Sequence, residues 1–470
     1  MRITHRVLCL VIVAGTVAAR AQTPSIADLE PKIDAAVRDV MKNTGVPSAS
    51  VGVVQDGRVV FTNAYGQAQL SPARAATVDM HYAIGSISKQ FTAACVLLLQ
   101  EDRKLNVEDS LSKYFPTLTR ASDVKIRHLL SHTSGYQDYA PQDYTIPAWT
   151  KPTTAERIVR EWATKPLDFE PGSQYQYSNT NFNILGLIVE HVSGEPFWTF
   201  LSRRVLTPVG MRHTIDLDSD HDQLEPTGYF RHALGPLRPA LMEARGWYFA
   251  DGGMAMPVGD LLAWDISVMN RSLLKPASYT AMETDQRLTN GQTARYGLGV
   301  SLSAPNGHRL VAHGGEVGGF VAQNMVFPDD KVAIAVLTNQ EASPAAGAIG
   351  RRISELMMSA SAAAASSSDG ARAETQAKQI LSGLQQGKVD RGLLTANCSF
   401  YFDQIALDDH ASSLKPLGDV QTVTQGQQSL RGGMTFRSFT VGFANGTKLR
   451  LTTYTTSDGK LEQFLIGPIG

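Results

Sequence analysis

Strand-forming text stands at the two ends of the stretch from residue 49 to residue 337 and is almost missing from its middle, which restricts the fold more than any other feature. Residues 49–55 and 58–63 are rich in Val and Thr, and Asp56-Gly57 between them suits the positive φ values of a two-residue hairpin turn. The same texture returns at residues 296–302, 310–313, 320–327 and 332–337. From about residue 90 to residue 280 the sequence shows helical periodicity, loops and Pro/Gly punctuation. Leu29, Ile33, Val37, Val40 and Met41 form one helical face before the first strands, and helical text follows the last ones to about residue 358. A sheet built from both ends of the segment, covered by the terminal helices and flanked by an inserted helical lobe, accounts for this order.

The chain opens with Arg2, His5 and Arg6, an apolar run over residues 7–18 and small residues at Ala19 and Ala21. This is the pattern of a cleavable export signal over residues 1–21, and the run is shorter than the roughly 20 residues that span a bilayer. The expected mature protein is therefore exported, to the periplasm or the medium, without a transmembrane segment. Residues 22–358 form the main domain. Residues 359–372 are almost entirely Ala, Ser, Asp and Gly and are expected to be a flexible linker.

Residues 373–470 then read as a small α+β domain. It has a helix around Ala377–Leu384 and hairpin turns at Asn445-Gly446 and Asp458-Gly459, but no catalytic constellation, so its role is not legible. With a net charge of −1 and no dense Lys/Arg run, the chain fits small-molecule or peptide substrates rather than nucleic acid. Cys9 leaves with the signal, and Cys95 and Cys398 read as free buried thiols.

Chemistry concentrates at Gly85-Ser86-Ile87-Ser88-Lys89, which leads into a strongly apolar helix. Residues i and i+3 share a helix face, so the Lys89 amine can reach the Ser86 hydroxyl. Serine is a weak nucleophile without a neighbouring base, and lysine serves as one only when burial or positive potential lowers its pKa from about 10.4. The pattern Ser-x-x-Lys alone carries little weight, because it also occurs at Ser110, Ser122, Ser272, Ser412 and Ser457. Only Ser86 has a glycine before it and an apolar helix behind it. Two further elements follow in order: Tyr177-Ser178-Asn179 in a loop before an apolar helix, and His313-Gly314-Gly315 at the end of a strand.

Taken together, these three ordered motifs resemble the serine β-lactamase and penicillin-binding protein superfamily, nearest to class C β-lactamases, DD-carboxypeptidases and related esterases. The resemblance covers roughly residues 26–358 and extends to residues 126–135, Pro208-Val209-Gly210-Met211 and Gly252-Gly253. It implies an α/β (α+β) β-lactamase/transpeptidase-like fold: an antiparallel sheet flanked by terminal helices, an all-helical lobe, and a separate C-terminal domain. It also implies a serine acyl hydrolase in which Ser86 is the acylated nucleophile, with Lys89 and Tyr177 sharing the base role. Asn179 would bind Lys89 and the substrate amide, and the backbone N–H groups of Ser86 and Glu316 would hold the oxyanion. No cofactor is implied.

One position departs from the family. Where many relatives carry Lys-Thr-Gly, this chain has His313, Gly314 and Gly315. A largely neutral histidine and a residue without a hydroxyl weaken carboxylate recognition, which disfavours an efficient β-lactamase and leaves esters and peptides.

Three other readings compete. A zinc site on His128 and His132 lacks a third ligand and the catalytic carboxylate of H-E-x-x-H, so no metal is expected. An α/β-hydrolase would need a G-x-S-x-G elbow, which the chain does not contain. A peptidoglycan-peptide or β-lactam sensor that acylates without turnover would keep the same residues and remains the alternative function.

Overall fold

The computed structural model describes residues 26–358, 371–431, 434–456 and 458–470. The expected export signal lies outside them, as does the expected linker up to residue 370; at residues 371 and 372 the chain is already helical.

The split sheet forms as the sequence requires. Strands β1 (Ser48–Gln55), β2 (Arg58–Leu70) and β3 (Ala73–Ala75) join β4 (Ser301–Ser303), β5 (Leu310–Val317), β6 (Phe320–Phe327) and β7 (Val332–Thr338) in the order β3-β2-β1-β7-β6-β5-β4. The seam is the antiparallel pair β1 and β7, with Ala49 opposite Thr338 and Gln55 opposite Val332. Asp56 and Gly57 take φ values of 51° and 75° at the hairpin between β1 and β2.

β7 is buried along its whole length, so its alternating side chains feed two cores. Val332, Ile334 and Val336 pack with Leu29, Ile33 and Val37 of α1 (Ile26–Thr44), and with residues of a second terminal helix that includes Ile349 and Ile353. Ala333, Ala335 and Leu337 face the lobe, where α2 (Ser88–Glu101), α3 (Asn179–Ser193) and α4 (Val258–Asn270) carry most of the core.

Three expectations are corrected. The strand placed at residues 296–302 shrinks to Ser301–Ser303, with Tyr296 held only by a single bridge to Ser301. The strand expected to end at His313-Gly314-Gly315 runs on to Val317, so this motif lies inside the sheet. The lobe also holds short strands at Ile215–Asp216, Tyr229–Phe230, Arg238–Pro239 and Met254–Met256, whose two or three residues are too few to show a period of two.

The C-terminal domain is a four-stranded antiparallel sheet in sequence order, β8 (Val420–Arg431), β9 (Met434–Phe443), β10 (Lys448–Thr455) and β11 (Leu461–Pro468), backed by helices that include Ala371–Leu384 and Gln404–Leu414. Leu381, Leu384, Phe402, Val441, Leu451 and Phe464 fill its core. It is not detached from the main domain: the backbones of Arg431 and Tyr177 form a parallel bridge.

Candidate active site

Ser86 sits in a tight helical turn, Gly85–Ile87, that opens directly into α2. Two glycines make this geometry possible. Gly85 has φ +51°, and a Cβ there would lie 2.6 Å from the Glu316 nitrogen; a Cβ on Gly315 would lie 1.8 Å from the Ile84 carbonyl oxygen. No other residue lets the nucleophile turn and β5 meet backbone to backbone. The backbone nitrogens of Ser86 and Glu316 thus belong to facing segments, at the open end of α2.

Every residue from Ser88 to Leu99 is buried, which takes the Lys89 amine out of water, while Ser86 stays half-exposed to the cleft. Nζ of Lys89 donates to the Ser86 hydroxyl at 2.9 Å, to Asn179 Oδ1 at 2.7 Å and to the Asp251 carbonyl at 2.7 Å. Its remaining surroundings are ring faces, with Tyr177 at 5.0 Å and Phe182 at 5.5 Å. Burial lowers the Lys89 pKa to about 8, against the upward pull of the Asp251 and Asp138 carboxylates. An amine tuned in this way, with two acceptors fixing two of its N–H bonds, can present a lone pair to the Ser86 hydroxyl.

Tyr177 is brought to the same point. Its hydroxyl is buried without a hydrogen-bond partner, close enough to Ser86 for that hydroxyl to pull its ionisation downward, yet burial wins and holds the phenol well above its usual range. Burial thus moves the two groups in opposite senses, the Lys89 amine towards neutrality and the Tyr177 phenol towards its protonated form. The His132 ring lies 4.2 Å from the Tyr177 ring and its Nδ1 accepts the Ser178 N–H, so this histidine of the rejected zinc pair positions the tyrosine loop.

Asn179 is the first residue of α3, with Ser178 as the N-cap. Its backbone N–H and side-chain amide both donate to Asp138 Oδ1, at 2.9 and 3.1 Å, which leaves its oxygen for Lys89.

His313 lines the cleft but offers it no free polar group. Nε2 accepts the Tyr296 hydroxyl at 2.8 Å and Nδ1 lies 2.6 Å from its own Gly314 carbonyl, which fixes the proton on Nδ1. Burial, with Lys89 nearby, lowers its pKa to about 3, so the imidazole is neutral.

The cleft, about 500 Å³, is lined by six of the seven expected residues, Ser86, Tyr177, Asn179, His313, Gly315 and Glu316, and the seventh, Lys89, is hydrogen-bonded to Ser86. It also holds acidic side chains that the sequence did not reveal, including the carboxyl of Glu316, which was expected only for its backbone N–H. Asp143, Glu243 and Glu316 face it, and burial raises the Glu316 and Glu243 carboxyls, Glu316 also under the charge of Asp143. The C-terminal domain, whose role was not legible in the sequence, adds Gln427, Ser429, Arg431, Phe436 and Tyr454 to the wall. Asp251 lines the cleft as well, and of the residues not expected from the sequence it alone had a local signal, standing beside the Gly252-Gly253 pair. By contrast, Ser110 of a rival Ser-x-x-Lys pattern caps its own turn, and Lys113 there pairs with Asp109 at 2.8 Å.

Comparison with known proteins places the chain among relatives of the same fold. A D-aminopeptidase from Brucella anthropi is 30% identical over 321 residues, covering 66% of this chain; the chain spans 59% of that relative's length. The octameric penicillin-binding protein homologue from Pyrococcus abyssi superposes with a TM-score of 0.61 at 21% identity, covering 93% of this chain and 99% of its own. D-amino acid amidase from Ochrobactrum anthropi SV3, complexed with L-phenylalanine amide, gives a TM-score of 0.60 at 22% identity, covering 70% of this chain and 98% of its own. The family model for Beta-lactamase matches residues 33–356, a span that contains all seven site residues expected from the sequence, and the chain belongs to that family.

Proposed function

We propose that this protein is a serine acyl hydrolase that cleaves small amides or short peptides bearing a free amino group, through an acyl-enzyme on Ser86. The observation that carries the reading is the setting of Lys89: a buried amine with two fixed acceptors and the Ser86 hydroxyl at 2.9 Å. Neutral Lys89 takes the Ser86 proton as Oγ attacks the carbonyl carbon. The N–H groups of Ser86 and Glu316 receive the developing oxyanion, and a donor of this kind is typically worth about 2.7–4 kcal/mol. The C–N bond then breaks as the Tyr177 phenol protonates the departing amine, and the proton on Lys89 restores the phenol. Water then attacks the ester carbonyl as the again neutral Lys89 takes its proton; the acyl C–Oγ bond breaks, and that proton passes from Lys89 to Oγ of Ser86 as the acid leaves.

The cleft's charge supports the substrate class. His313 is neutral and its nitrogens are engaged, whereas Asp143, Glu243 and Glu316 put three carboxyl groups on the wall, of which burial holds Glu243 and Glu316 towards the protonated form. Gln142 adds to them: its Nε2 donates to Glu462, which leaves Oε1 buried without a partner. An ammonium group would relieve these crowded acceptors, and a β-lactam carboxylate would not. Relatives named D-aminopeptidase and D-amino acid amidase point to the same chemistry and favour a D-residue at the acyl position.

The test is one preparation assayed on D-phenylalanine amide, its N-acetyl derivative, a short-chain p-nitrophenyl ester, nitrocefin and a D-Ala-D-Ala peptide. The free-amine amide should turn over faster than its acetylated form and than nitrocefin. Equal rates on the two amides would reject the amine-directed reading, and a burst without steady-state turnover on every substrate would instead identify a sensor.

A further inference from the structure

Arg431, at the end of the first strand of the C-terminal domain, reaches back into the active site. Its Nε donates to Asp138 Oδ2 at 3.1 Å, Nη1 to the Tyr454 hydroxyl at 3.1 Å and Nη2 to the Ala140 carbonyl at 3.0 Å. The guanidinium lies 5.1 Å from the centre of the Tyr177 ring, and Asp143 Oδ1 is 3.6 Å away. Its fork is therefore engaged by the protein itself, so Arg431 is poorly placed to bind substrate. It faces instead a carboxylate that the fold cannot otherwise neutralise. The Asp138 side chain is fully buried, its other oxygen already accepts both nitrogens of Asn179, and Arg431 is its only ion-pair partner among the described residues. Asn179 in turn holds Lys89.

We propose that Arg431 is a positioning residue for the Lys89 base, acting through Asp138 and Asn179, so that the C-terminal domain completes the catalytic machinery of the main domain. This rests on the reading of Lys89 as the base that activates Ser86. Two effects follow from the chain Arg431, Asp138, Asn179, Lys89. Asn179 and Arg431 both donate to the Ala140 carbonyl, at 3.0 Å each, so the arginine fixes the loop that orients the asparagine. Electrostatically, the groups that face Lys89 are Asp251 from the lobe, Asp138 from the loop before it, Tyr177 and His132 from the tyrosine-loop cluster, His313 from β5 and Arg431 from the C-terminal domain. His132 and His313 are neutral, and Tyr177 is protonated. Burial is the main cause that lowers the Lys89 pKa; the two carboxylates oppose it, and Arg431 alone among these charged groups adds to it.

The experiment compares the full chain with Arg431→Gln, Arg431→Lys, Asp138→Asn and the double variant Arg431→Gln/Asp138→Asn. Each is followed by kcat and KM on a p-nitrophenyl ester from pH 6 to pH 10 and by the rate of fluorophosphonate labelling. Ser86→Ala runs alongside: if it still labels, the nucleophile assignment fails, whatever Arg431 does. With that control silent, Arg431→Gln should move the rising limb of kcat/KM upward by about one pH unit. That is a loss of about tenfold at pH 7 that recovers at high pH, carried by kcat rather than KM. Arg431→Lys should restore most of the rate, and removing the Asp138 charge in the double variant should bring the limb back. An unmoved limb, whether activity is kept or falls equally at every pH, would overturn the proposal, as would failure of the double variant to shift the limb back. Near-UV circular dichroism identifies any variant that has not folded; should Arg431→Gln be one, Asp138→Asn against the double variant decides, because the two differ only at Arg431: the limb of the double variant should lie at higher pH, and coincidence of the two limbs would overturn the proposal.

Discussion

Asp138 joins Asn179 to Arg431: one carboxylate oxygen accepts both Asn179 nitrogens, at 2.9 and 3.1 Å, and the other accepts the guanidinium at 3.1 Å. A single buried acid thus ties the start of α3 to the C-terminal sheet. Truncating it in Asp138→Ala strands donors on both sides. Breaking a buried pair usually costs about 3–5 kcal/mol, and the partial exposure of Arg431 lowers the expectation to about 2 kcal/mol. Urea unfolding with the whole chain reads this directly, and a change within about 0.5 kcal/mol would contradict the role given to Asp138.

Removing the base should separate chemistry from binding. Lys89→Ala is expected to lower kcat by about 10²–10⁴ while KM stays near the wild-type value, because the amine is hydrogen-bonded to Ser86 and acts on its proton. Steady-state kinetics on the amide substrate decides it, and a rise in KM with kcat preserved would reject the role.

The pH dependence has a defined sign. Catalysis needs the neutral amine, so kcat/KM should rise with pH along a limb near 8, where burial places Lys89, rather than near the ordinary lysine value of about 10.4. A limb above pH 10 in the wild-type protein would show that the amine is not tuned.

His313 makes a second pH prediction, for stability. Its folded pKa of about 3 lies below the ordinary 6.5, so the fold excludes a proton that the unfolded chain accepts. The contribution is complete above pH 6.5 and is lost as pH falls towards 3. His313→Gln should therefore show a shallower fall in unfolding free energy than the wild type between pH 6.5 and 4.5, by about 2–3 kcal/mol. Parallel curves for the two proteins would exclude this account of the buried imidazole.

The backbone contact at the nucleophile is tested by a pair of glycines. Gly315→Ala drives a methyl group to within 1.8 Å of the Ile84 carbonyl and should cost about 1–3 kcal/mol and most of the activity. Gly347→Ala sits on a helix surface with nothing nearer than 3.8 Å and should be neutral or stabilising by about 0.5–1 kcal/mol. Thermal melts with matched activity assays separate the two, and equal effects would disprove the steric reasoning.

What the sequence disclosed and what it hid follow physical lines. The sheet seam was legible because β7 and β1 carry long apolar runs, and Asp56-Gly57 marked its hairpin. Ser86 and Lys89 were legible because their interaction is local, three residues apart on one turn. Asp138 and Arg431 were not, since each is an ordinary charged residue until a fold 293 residues wide in sequence brings them together. The opposite shifts of Lys89 and Tyr177 were hidden for a related reason. Ionisation is decided by burial, and burial belongs to the assembled cleft rather than to either motif.

The bridge between Tyr177 and Arg431 has a consequence for the life of the molecule before it is finished. Synthesis proceeds at about 5–20 residues per second, so Ser86 emerges tens of seconds ahead of the strand that carries Arg431. The wall of the cleft is thus among the last parts made, and the nucleophile waits for it. Any chain halted or clipped before the final sheet would carry the serine and its lysine yet lack the guanidinium that pairs with Asp138.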